Sequence, residues 1–302
     1  SLEYEIVGET VAIISYSGRD TEIEIPERIE GFVVVWIGKK AFLSNKTLRK
    51  IVLPECLAGI GDWAFAYCGN LTDVVMPYHQ IEMGQGVFKE CGRLMRIEEK
   101  EAGGMEGTEE GEKQKDDRTP DIAWLLAAAV NGLDAFYLFD LENAGTASWL
   151  AGWDARARML MHLEDSDGFS KMLLCGEEDY GSKENDLGYY MEQKRRGKVR
   201  LAMLRLMHDH GLGEELRAEL EAYLLTHIKG CETEETWRVV LEEHGDDRAY
   251  YDFLTKIGGV TEENFSGMME DMGQRHTEMK AYLMRYHDSM RKERDAFSQF
   301  NL

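Results

Sequence analysis

A repeat of 23 residues sets the architecture of the first hundred residues. An Ala-Phe or Val-Phe pair recurs at this interval, at Ala41-Phe42, Ala64-Phe65 and Val87-Phe88. Two further columns keep the same interval: Leu48, Leu71 and Leu94, and Asn45, Cys68 and Cys91. A unit of this size cannot bury its own apolar face, whereas stacked units bury it between neighbours. The repeat therefore predicts a short solenoid over residues 21–98.

Each repeat contributes one short strand that ends at a proline. Pro54 and Pro77 lie 23 residues apart, whereas Pro26 precedes Pro54 by 28, so the first unit carries a five-residue insertion around residues 30–34. Side chains alternate between the two faces of a strand, and one face points into the solenoid. The residues predicted to point inward are Ile51, Leu53, Val74, Met76 and the phenylalanine of each pair. A fourth strand begins within residues 94–97.

The recurring motifs I-x-I-P, I-G-x-x-A-F and C-x-x-L resemble the BspA-like, or treponemal-type, leucine-rich repeats over about a quarter of the chain, from Thr21 onward. The preceding residues 4–16, with a turn at Gly8-Glu9, resemble the N-terminal hairpin of that family. The third repeat has Gly84-Gln85 at the I-G position, which predicts a distorted turn. The resemblance implies a binding scaffold without catalytic activity, often exposed on the bacterial surface.

Residues 99–119 separate the repeats from the rest of the chain. They contain four glycines and no aromatic or branched aliphatic residue. A segment of this composition buries too little apolar area to offset its chain entropy. We predict an acidic linker that ends at Thr119-Pro120-Asp121, where Thr caps a helix, Pro takes its first position and Asp enters its first turn.

Beyond the linker, apolar residues follow a helical period. The predicted helices run through Leu201, Leu204 and Met207 to Gly211, through Leu216, Leu220 and Leu224, from a Thr233 cap through Trp237 and Leu241, and from a Thr261 cap through Phe265 and Met268. Residues 202–216 and 249–265 align at an offset of 47–48, which suits a HEAT-like or ankyrin-like α-solenoid. The predicted fold class is α+β multidomain: a hairpin plus a leucine-rich-repeat solenoid at 1–98, the linker at 99–119, and an all-α helical-repeat-like domain at 120–302.

The net charge of −22 and the five cysteines limit the classes of binding partner and the cellular compartments that we expect for this chain. Non-specific binding to nucleic acid or anionic membranes requires a basic surface, so the acidic balance argues against both. No apolar run reaches the ~20 residues that span a bilayer, and the N-terminus shows no signal peptide. An odd number of cysteines without C-x-x-C spacing suits a reducing compartment. These features favour a cytoplasmic location, with the cell surface or secretion as the alternative if the N-terminus was trimmed.

Three groups of polar residues suggest a metal site but have a simpler interpretation. Cys68, Cys91 and Asn45 share a column, and because no further ligand stands at metal spacing we interpret them as a buried ladder. The first and last residues of His208-Asp209-His210 diverge by about 200° on a helix, which favours a role at the helix C-terminus. Residues 165–168 lack the closing acid of a calcium loop and are interpreted as a turn. We predict no metal, no cofactor and no catalytic residue.

Two further features of the helical half also receive structural interpretations. The basic residues of 194–200 could grip a phosphate or an acidic partner, but the interpretation we favour is neutralisation of nearby carboxylates. His276 and His287 share a helical face at three turns, which separates them by ~16 Å, too far to share a metal ion.

The outward side chains of the predicted strands supply the candidate site. Two columns point outward: Glu22, Lys50, Asp73 and Arg96, and Glu24, Val52, Val75 and Glu98. Charge alternates along the first column, so each charge meets its opposite on the next parallel strand. We predict a protein-binding site made of Lys50, Val52, Asp73, Val75 and Arg96; the alternative is a soluble surface with weak exposed ion pairs.

The predicted function is a non-enzymatic protein–protein interaction scaffold. It binds a protein partner of unknown identity through this face. We predict no nucleic-acid partner and no membrane-spanning segment. The alternative is a helical domain with an undetected ligand pocket or enzymatic role, targeted by the repeats, although no P-loop, nucleophile-elbow or zinc-protease motif occurs. A short solenoid also exposes apolar interior at its ends. We expect the hairpin at 4–16 to cover one end and the linker or the helical domain to cover the other.

Overall fold

The computed structural model describes residues 1–100, 120–175 and 186–301. Most of the predicted linker, residues 101–119, lies outside the described residues. The first two residues of the predicted linker are part of the solenoid: Glu99 closes the last strand, and the Lys100 amide donates a 2.8 Å hydrogen bond to the Met76 carbonyl.

The chain forms two compact units. The first comprises Ser1–Ala157 with His208–Gly211, and the second comprises Arg158–Met207 with Leu212–Leu302. The first unit therefore holds the repeats together with the helix that follows them.

The strands that the structure describes number ten: β1 (Leu2–Val7), β2 (Thr10–Tyr16), β3 (Glu22–Glu24), β4 (Arg28–Ile29), β5 (Phe32–Ile37), β6 (Lys50–Val52), β7 (Gly59–Ile60), β8 (Asp73–Met76), β9 (Glu82–Met83) and β10 (Arg96–Glu99). One four-stranded sheet has the order β10-β8-β6-β3 and is parallel throughout. These are the predicted strands, one per repeat plus the fourth. Ile51, Leu53, Val74 and Met76 have no exposed surface, which confirms their inward direction.

A second sheet, absent from the prediction, has the order β1-β2-β5-β7-β9, with β4 paired to β5. The predicted hairpin is its first two strands, and Gly8 in their turn has a left-handed φ of 65°. The prediction of a distorted third turn is wrong, because β9 pairs in register with β7 and the Gly84 amide donates to the Ile60 carbonyl at 2.8 Å. Met83-Gly84, one residue earlier than predicted, occupies the I-G position.

An aromatic column runs through the interior of the stacked turns. Phe42, Phe65 and Phe88 stack with ring centroids 5.1 and 5.7 Å apart. Tyr16 of β2 stacks on the first of these rings at 5.6 Å, and Phe139 lies 6.3 Å beyond the last. The predicted column is confirmed, and rings from outside the repeats extend it at both ends.

The described helices are α1 (Asp121–Val130), α2 (Ala147–His162), α3 (Phe169–Cys175), α4 (Leu187–Met207), α5 (Glu214–Leu225), α6 (Glu235–Glu243), α7 (Arg248–Lys256), α8 (Glu262–Met272) and α9 (Thr277–Phe300), with a 3₁₀ turn at Phe136–Leu138. In the second unit, α4 packs against α5 and α6, while α9 packs against α7 and α8. The core of this unit includes Val199, Leu220, Leu224, Trp237, Val240, Tyr251, Leu254, Met268 and Leu283. The described residues after the repeats, 120–175 and 186–301, thus contain helices and no strand, as predicted.

Both ends of the solenoid are covered within the first unit. The β1–β2 hairpin covers the N-terminal end, where β2 pairs with β5. At the other end α1 packs against β10, and Asn131 donates from Nδ2 to the carbonyls of Cys91, Gly92 and Leu94 at 3.3–3.4 Å. This amide satisfies carbonyls that have no following repeat to pair with. The expectation of a cover at each end is confirmed.

The helix caps agree only in part with the prediction. Thr261 caps α8 through a capping box with Asn264, as predicted. Glu234 rather than Thr233 occupies the cap position of α6, and its side chain makes no cap hydrogen bond. Pro120 occupies the cap position of α1, one residue later than the predicted threonine.

The two segments that align in the sequence share a local structure. Each consists of a helix, a glycine in the left-handed region and a second helix: α4, Gly211 and α5 in one case, and α7, Gly258 and α8 in the other. The φ angles of these glycines are 67° and 80°. The assignment to a HEAT-like or ankyrin-like solenoid stays a prediction.

The basic cluster at 194–200 neutralises carboxylates of the second unit, which confirms the interpretation we favoured. Its ion pairs include Arg195–Glu235 at 2.6 Å, Lys198–Asp165 at 2.8 Å and Arg200–Glu243 at 2.8 Å. Glu235 is only 3% exposed. Burial raises the pKa of its carboxyl, but hydrogen bonds from Arg195 and Thr233 lower it further, so the pKa lies below its ordinary value.

The aromatic column yields the first prediction. Phe65→Ala should lower the free energy of unfolding of the first unit by about 3–5 kcal/mol, the usual cost of truncating a core aromatic. Chemical denaturation of the full chain measures this loss. Phe297→Ala is the matched control, because that ring is 71% exposed and its removal should cost less than ~0.5 kcal/mol. A loss below ~1 kcal/mol for Phe65→Ala would contradict the column.

The buried ion pair yields the second prediction. Glu235→Gln should destabilise the second unit by about 2 kcal/mol at neutral pH, because Arg195 loses its charged partner. The folded-state pKa of Glu235 lies below the unfolded one, so its contribution is present above the unfolded pKa and is lost as the pH falls through the folded pKa. Thermal unfolding should therefore show the gap between wild type and variant closing below about pH 4.

The control for this experiment is Glu214→Gln. That carboxylate is 92% exposed in its pair with Arg217, so the substitution should change stability by less than ~0.5 kcal/mol at any pH. A gap for Glu235→Gln that stays constant across the acid range would show that the charge of Glu235 does not stabilise the fold.

Candidate functional site

The candidate site is the outward side of the parallel sheet, here called the strand face: Glu22, Glu24, Lys50, Val52, Asp73, Val75, Arg96 and Glu98. Strand pairing aligns Glu22, Lys50, Asp73 and Arg96 in one row across the four strands. The same pairing aligns Glu24, Val52, Val75 and Glu98 in the next row. Both rows are the predicted ones, so the sheet brings all five predicted binding residues onto one surface.

Acidic and basic residues alternate along the first row, and Arg96 and Asp73 of neighbouring strands form a salt bridge. Arg96 Nη1 lies 3.6 Å from Asp73 Oδ1, and the same guanidinium contacts Glu98 in its own strand. It also lies 6.0 Å from the ring centroid of Trp124 on α1. Arg96 is therefore held by the protein itself. Lys50 forms no salt bridge within the residues that the structure describes, which leaves its ammonium group accessible for a partner.

The valines give the strand face an apolar centre. Val52 pairs in register with Val75, and Glu24 and Glu98 stand at the two ends of their row. Both valines are half-buried rather than fully exposed. Neighbouring parallel strands are only ~4.8 Å apart, so side chains of one row cover each other's flanks.

The Asn45–Cys68–Cys91 column forms the expected buried ladder. Asn45 Oδ1 accepts two backbone N–H bonds that turn the chain. The Cys68 and Cys91 thiols donate to the carbonyls of Phe42 and Phe65 at 3.1 and 3.0 Å. Burial raises the pKa of the Cys68 thiol to about 11 and that of Cys91 to about 12. Both are protonated donors at neutral pH, whereas a metal ligand would be a thiolate.

His208 directly follows the last residue of α4, at the predicted helix C-terminus, and it also contacts α1. Its Nδ1 lies 3.2 Å from Asp121 Oδ1, and its ring stacks on Trp124 with centroids 4.5 Å apart. The acidic partner comes from α1, far away in the sequence, which explains why the local pattern did not show it. Residues 165–168 form the predicted turn between α2 and α3, and Asp165 Oδ1 accepts a hydrogen bond from Lys198 Nζ.

The prediction that His276 and His287 share a helical face is wrong. His276 precedes α9 in the left-handed conformation, with a φ of 54°, so only His287 lies within the helix. Each has its own carboxylate: His276 Nδ1 lies 2.7 Å from Asp246, and His287 Nε2 lies 3.1 Å from Glu262. Over the described ranges, no three His, Cys, Asp or Glu side chains converge in a way that could hold a metal ion.

Each unit also carries an open groove. The groove of the first unit, of about 380 Å³, is lined by residues 86–92 of the third repeat and by residues near the end of α1. That of the second, of about 360 Å³, is lined by Met161, Leu220 and Tyr223 among others. The Tyr223 hydroxyl is buried with no hydrogen-bond partner in the part of the chain that the structure describes, and burial raises its pKa.

Sequence reasoning missed Trp124, which borders the strand face. Its ring contacts Arg96 on one strand and His208 beyond α4, and these residues are brought together only by the tertiary fold. In the sequence, a tryptophan on an apolar helix is interpreted as an ordinary core residue. No local pattern therefore predicted its contacts with Arg96 and His208.

Among the described helices, none is both long enough and apolar enough to cross a bilayer.

Comparison with known proteins identifies the repeats. Residues 16–102 match the family model for the BspA type leucine rich repeat region, in six copies. Similar solved structures include a leucine rich cell surface protein from Faecalibacterium prausnitzii, 23% identical over 33% of this chain and 30% of that chain, with a TM-score of 0.30. A leucine-rich repeat protein from T. pallidum is 22% identical over 32% of this chain and 67% of that chain, with a TM-score of 0.23.

A leucine-rich repeat protein from Bacteroides capillosus is likewise 22% identical, over 33% of this chain and 94% of that chain, with a TM-score of 0.28. This chain thus spans under a third of the length of the F. prausnitzii protein. No curated protein matches the chain. The matched segment contains β3–β10, and residues 16–102 are a BspA-type leucine-rich-repeat region.

Proposed function

We propose that the chain is a non-enzymatic protein-interaction scaffold whose strand face binds a protein partner. Proteins built of leucine-rich repeats are generally interaction scaffolds, and stacked repeats create an extended surface for that purpose. The observation that carries the proposal is the register of the parallel sheet. It pairs Val52 with Val75 and sets a row of alternating charge beside them.

The chemistry of the strand face favours a protein over other ligands. An apolar centre with a rim of both charges is the usual composition of a protein interface, where the charges set the register of the partner. A nucleotide site uses backbone N–H groups at a helix N-terminus, and this surface consists of strands. A sugar site would want an open aromatic platform. The two rows contain no aromatic residue, and the bordering Trp124 ring already stacks on His208.

The size of the strand face bears on affinity. Four strands at a spacing of ~4.8 Å give a surface only ~15 Å across. A stable interface buries about 800 Å² on each partner, so this face alone supplies a fraction of that area. We therefore expect modest affinity unless the partner also contacts a second surface of the chain.

The groove of the second unit supports a second candidate function, the binding of a small ligand. The observation is the largely apolar groove lined by Met161, Leu220 and Tyr223 among others. A ligand that packs against this lining would stabilise the unit by mass action. A thermal-shift screen detects such a ligand, and Met161→Gln, a polar substitution of a half-buried lining residue, should reduce the shift.

Removal of the apolar centre tests the strand face. Val52→Thr with Val75→Thr keeps the branched shape that suits a strand while replacing one methyl of each side chain by a hydroxyl. Capture of protein partners from the source organism's lysate by the immobilised full chain, read by quantitative mass spectrometry, should show at least about a tenfold loss. Glutamate at both positions is a harsher variant, because with Glu24 and Glu98 it would place four acids in one row.

Val33→Thr with Val35→Thr is the matched control. These two valines are also half-buried in a strand, but they lie in β5 of the other sheet. Capture should be unchanged in the control. If the Val52/Val75 variant folds and still captures the same partner, the binding site lies elsewhere on the chain.

A further inference from the structure

A second surface of the repeats carries the opposite charge from the rest of the chain. We call it the turn face: the exposed side chains of residues 38–49, 61–72 and 84–95. These three segments hold six basic and two acidic side chains, whereas the rest of residues 1–98 holds four basic and twelve acidic. At physiological salt, charges interact over about 8 Å, so the cations here act locally despite the net charge of −22.

Backbone hydrogen bonds hold the three turns in register. The Lys40 amide donates to the Asp62 carbonyl at 2.9 Å, and the Trp63 amide donates to the Gln85 carbonyl at 2.9 Å. Lys40, Trp63 and Gly86 all have left-handed backbone, with φ angles of 59°, 54° and 60°. Equivalent side chains therefore leave the backbone in the same direction and form columns along the surface.

Trp63 is the centre of this surface. Its indole packs directly against Gly86 of the next turn. A Cβ added to Gly86 would stand 2.6 Å from Trp63 Cδ1, and the left-handed φ of Gly86 also favours glycine. The ammonium groups of Lys39 and Lys40 lie 5.3 and 5.7 Å from the ring centroid. The electron-rich ring face attracts both cations and offsets part of their mutual repulsion.

These groups lack anionic partners of their own. Within residues 1–100, 120–175 and 186–301, neither lysine forms a salt bridge, and the Trp63 indole N–H has no hydrogen-bond acceptor. Leu43 and Tyr67 extend the surface with apolar area, since they are 40% and 42% exposed. A matching ligand must supply carboxylates to the ammonium groups and an apolar group to the neighbouring side chains.

We propose that the turn face binds an acidic protein segment that carries an apolar side chain beside its carboxylates. Tryptophan and tyrosine are enriched in protein interfaces, and the two ammonium groups beside Trp63 are complementary to carboxylates. A sulfated glycan would satisfy the lysines but offers no apolar group for Leu43. The twelve acids elsewhere in residues 1–98 also repel an extended polyanion more than a short segment. The proposal is independent of the strand face and of its partner.

Selection of peptides on the full chain tests this proposal. Short random peptides displayed on phage are selected on the immobilised protein at low salt, and the recovered sequences are synthesised for fluorescence anisotropy. We expect enrichment of Asp or Glu together with Leu, Phe or Trp. The dissociation constant should rise at least about tenfold for Lys39→Gln with Lys40→Gln, and several-fold for Leu43→Ser. All three side chains are exposed, and melting curves verify the fold of each variant.

The matched control is Lys256→Gln with Lys292→Gln, which removes the same charge from two exposed lysines of the second unit and should leave the affinity unchanged. Val52→Thr with Val75→Thr should also bind the peptides normally, which separates this surface from the strand face. Three results would overturn the proposal: no enrichment, peptides without acidic residues, or equal binding to the Lys39/Lys40 variant. Binding of heparin or an oligonucleotide that depends on these lysines, with no acidic peptide recovered, would assign the surface to a polyanion and would overturn it as well.

Discussion

Stacking of one turn directly on the next is the interaction on which the first unit depends. Phe65 touches a ring on each side of it, at 5.1 and 5.7 Å, so no turn buries its own aromatic side chain without a neighbour. The thiols also join neighbouring turns, because Cys91 Sγ donates a hydrogen bond to the Phe65 carbonyl of the preceding turn. Rings and hydrogen bonds meet only when equivalent residues are level, and this requirement enforces the 23-residue interval.

The ends of the stack show what the interaction requires when the repeats stop. Phe139 continues the aromatic column, but its ring is tilted by 54° to Phe88, whereas rings within the column are within 15° of each other. Asn131 supplies hydrogen bonds to the carbonyls of the last turn. The segment after the repeats therefore supplies the ring contact and the hydrogen bonds that a further turn would supply, although the Phe139 ring does not stack in parallel. A cover of this kind ends the stack, since it presents no new edge for another repeat.

The sequence predicted those features that recur at a fixed interval, and it failed where structure depends on distant segments. The rows of Lys50 with Asp73 and of Val52 with Val75 follow from counting back from each proline, and the strands confirm them. The second sheet was missed because β7 and β9 are two residues long, too short to show alternation. The contact of Arg96 with Trp124 was missed for a different reason, since only tertiary packing joins them.

The same register that builds the interior also sorts the surface by chemistry. A position in the repeat keeps its direction in every turn, so the alternating charges of the strand side and the lysines of the turn side form separate patches instead of averaging out. One position of the repeat has left-handed backbone in all three turns. This position holds Lys40 in the first turn, Trp63 in the second and Gly86 in the third. A side chain with a Cβ at the third position would displace the indole from the backbone. The surface between the two lysines and the glycine therefore depends on the order of the three turns, and it cannot be moved to another turn without rebuilding the column.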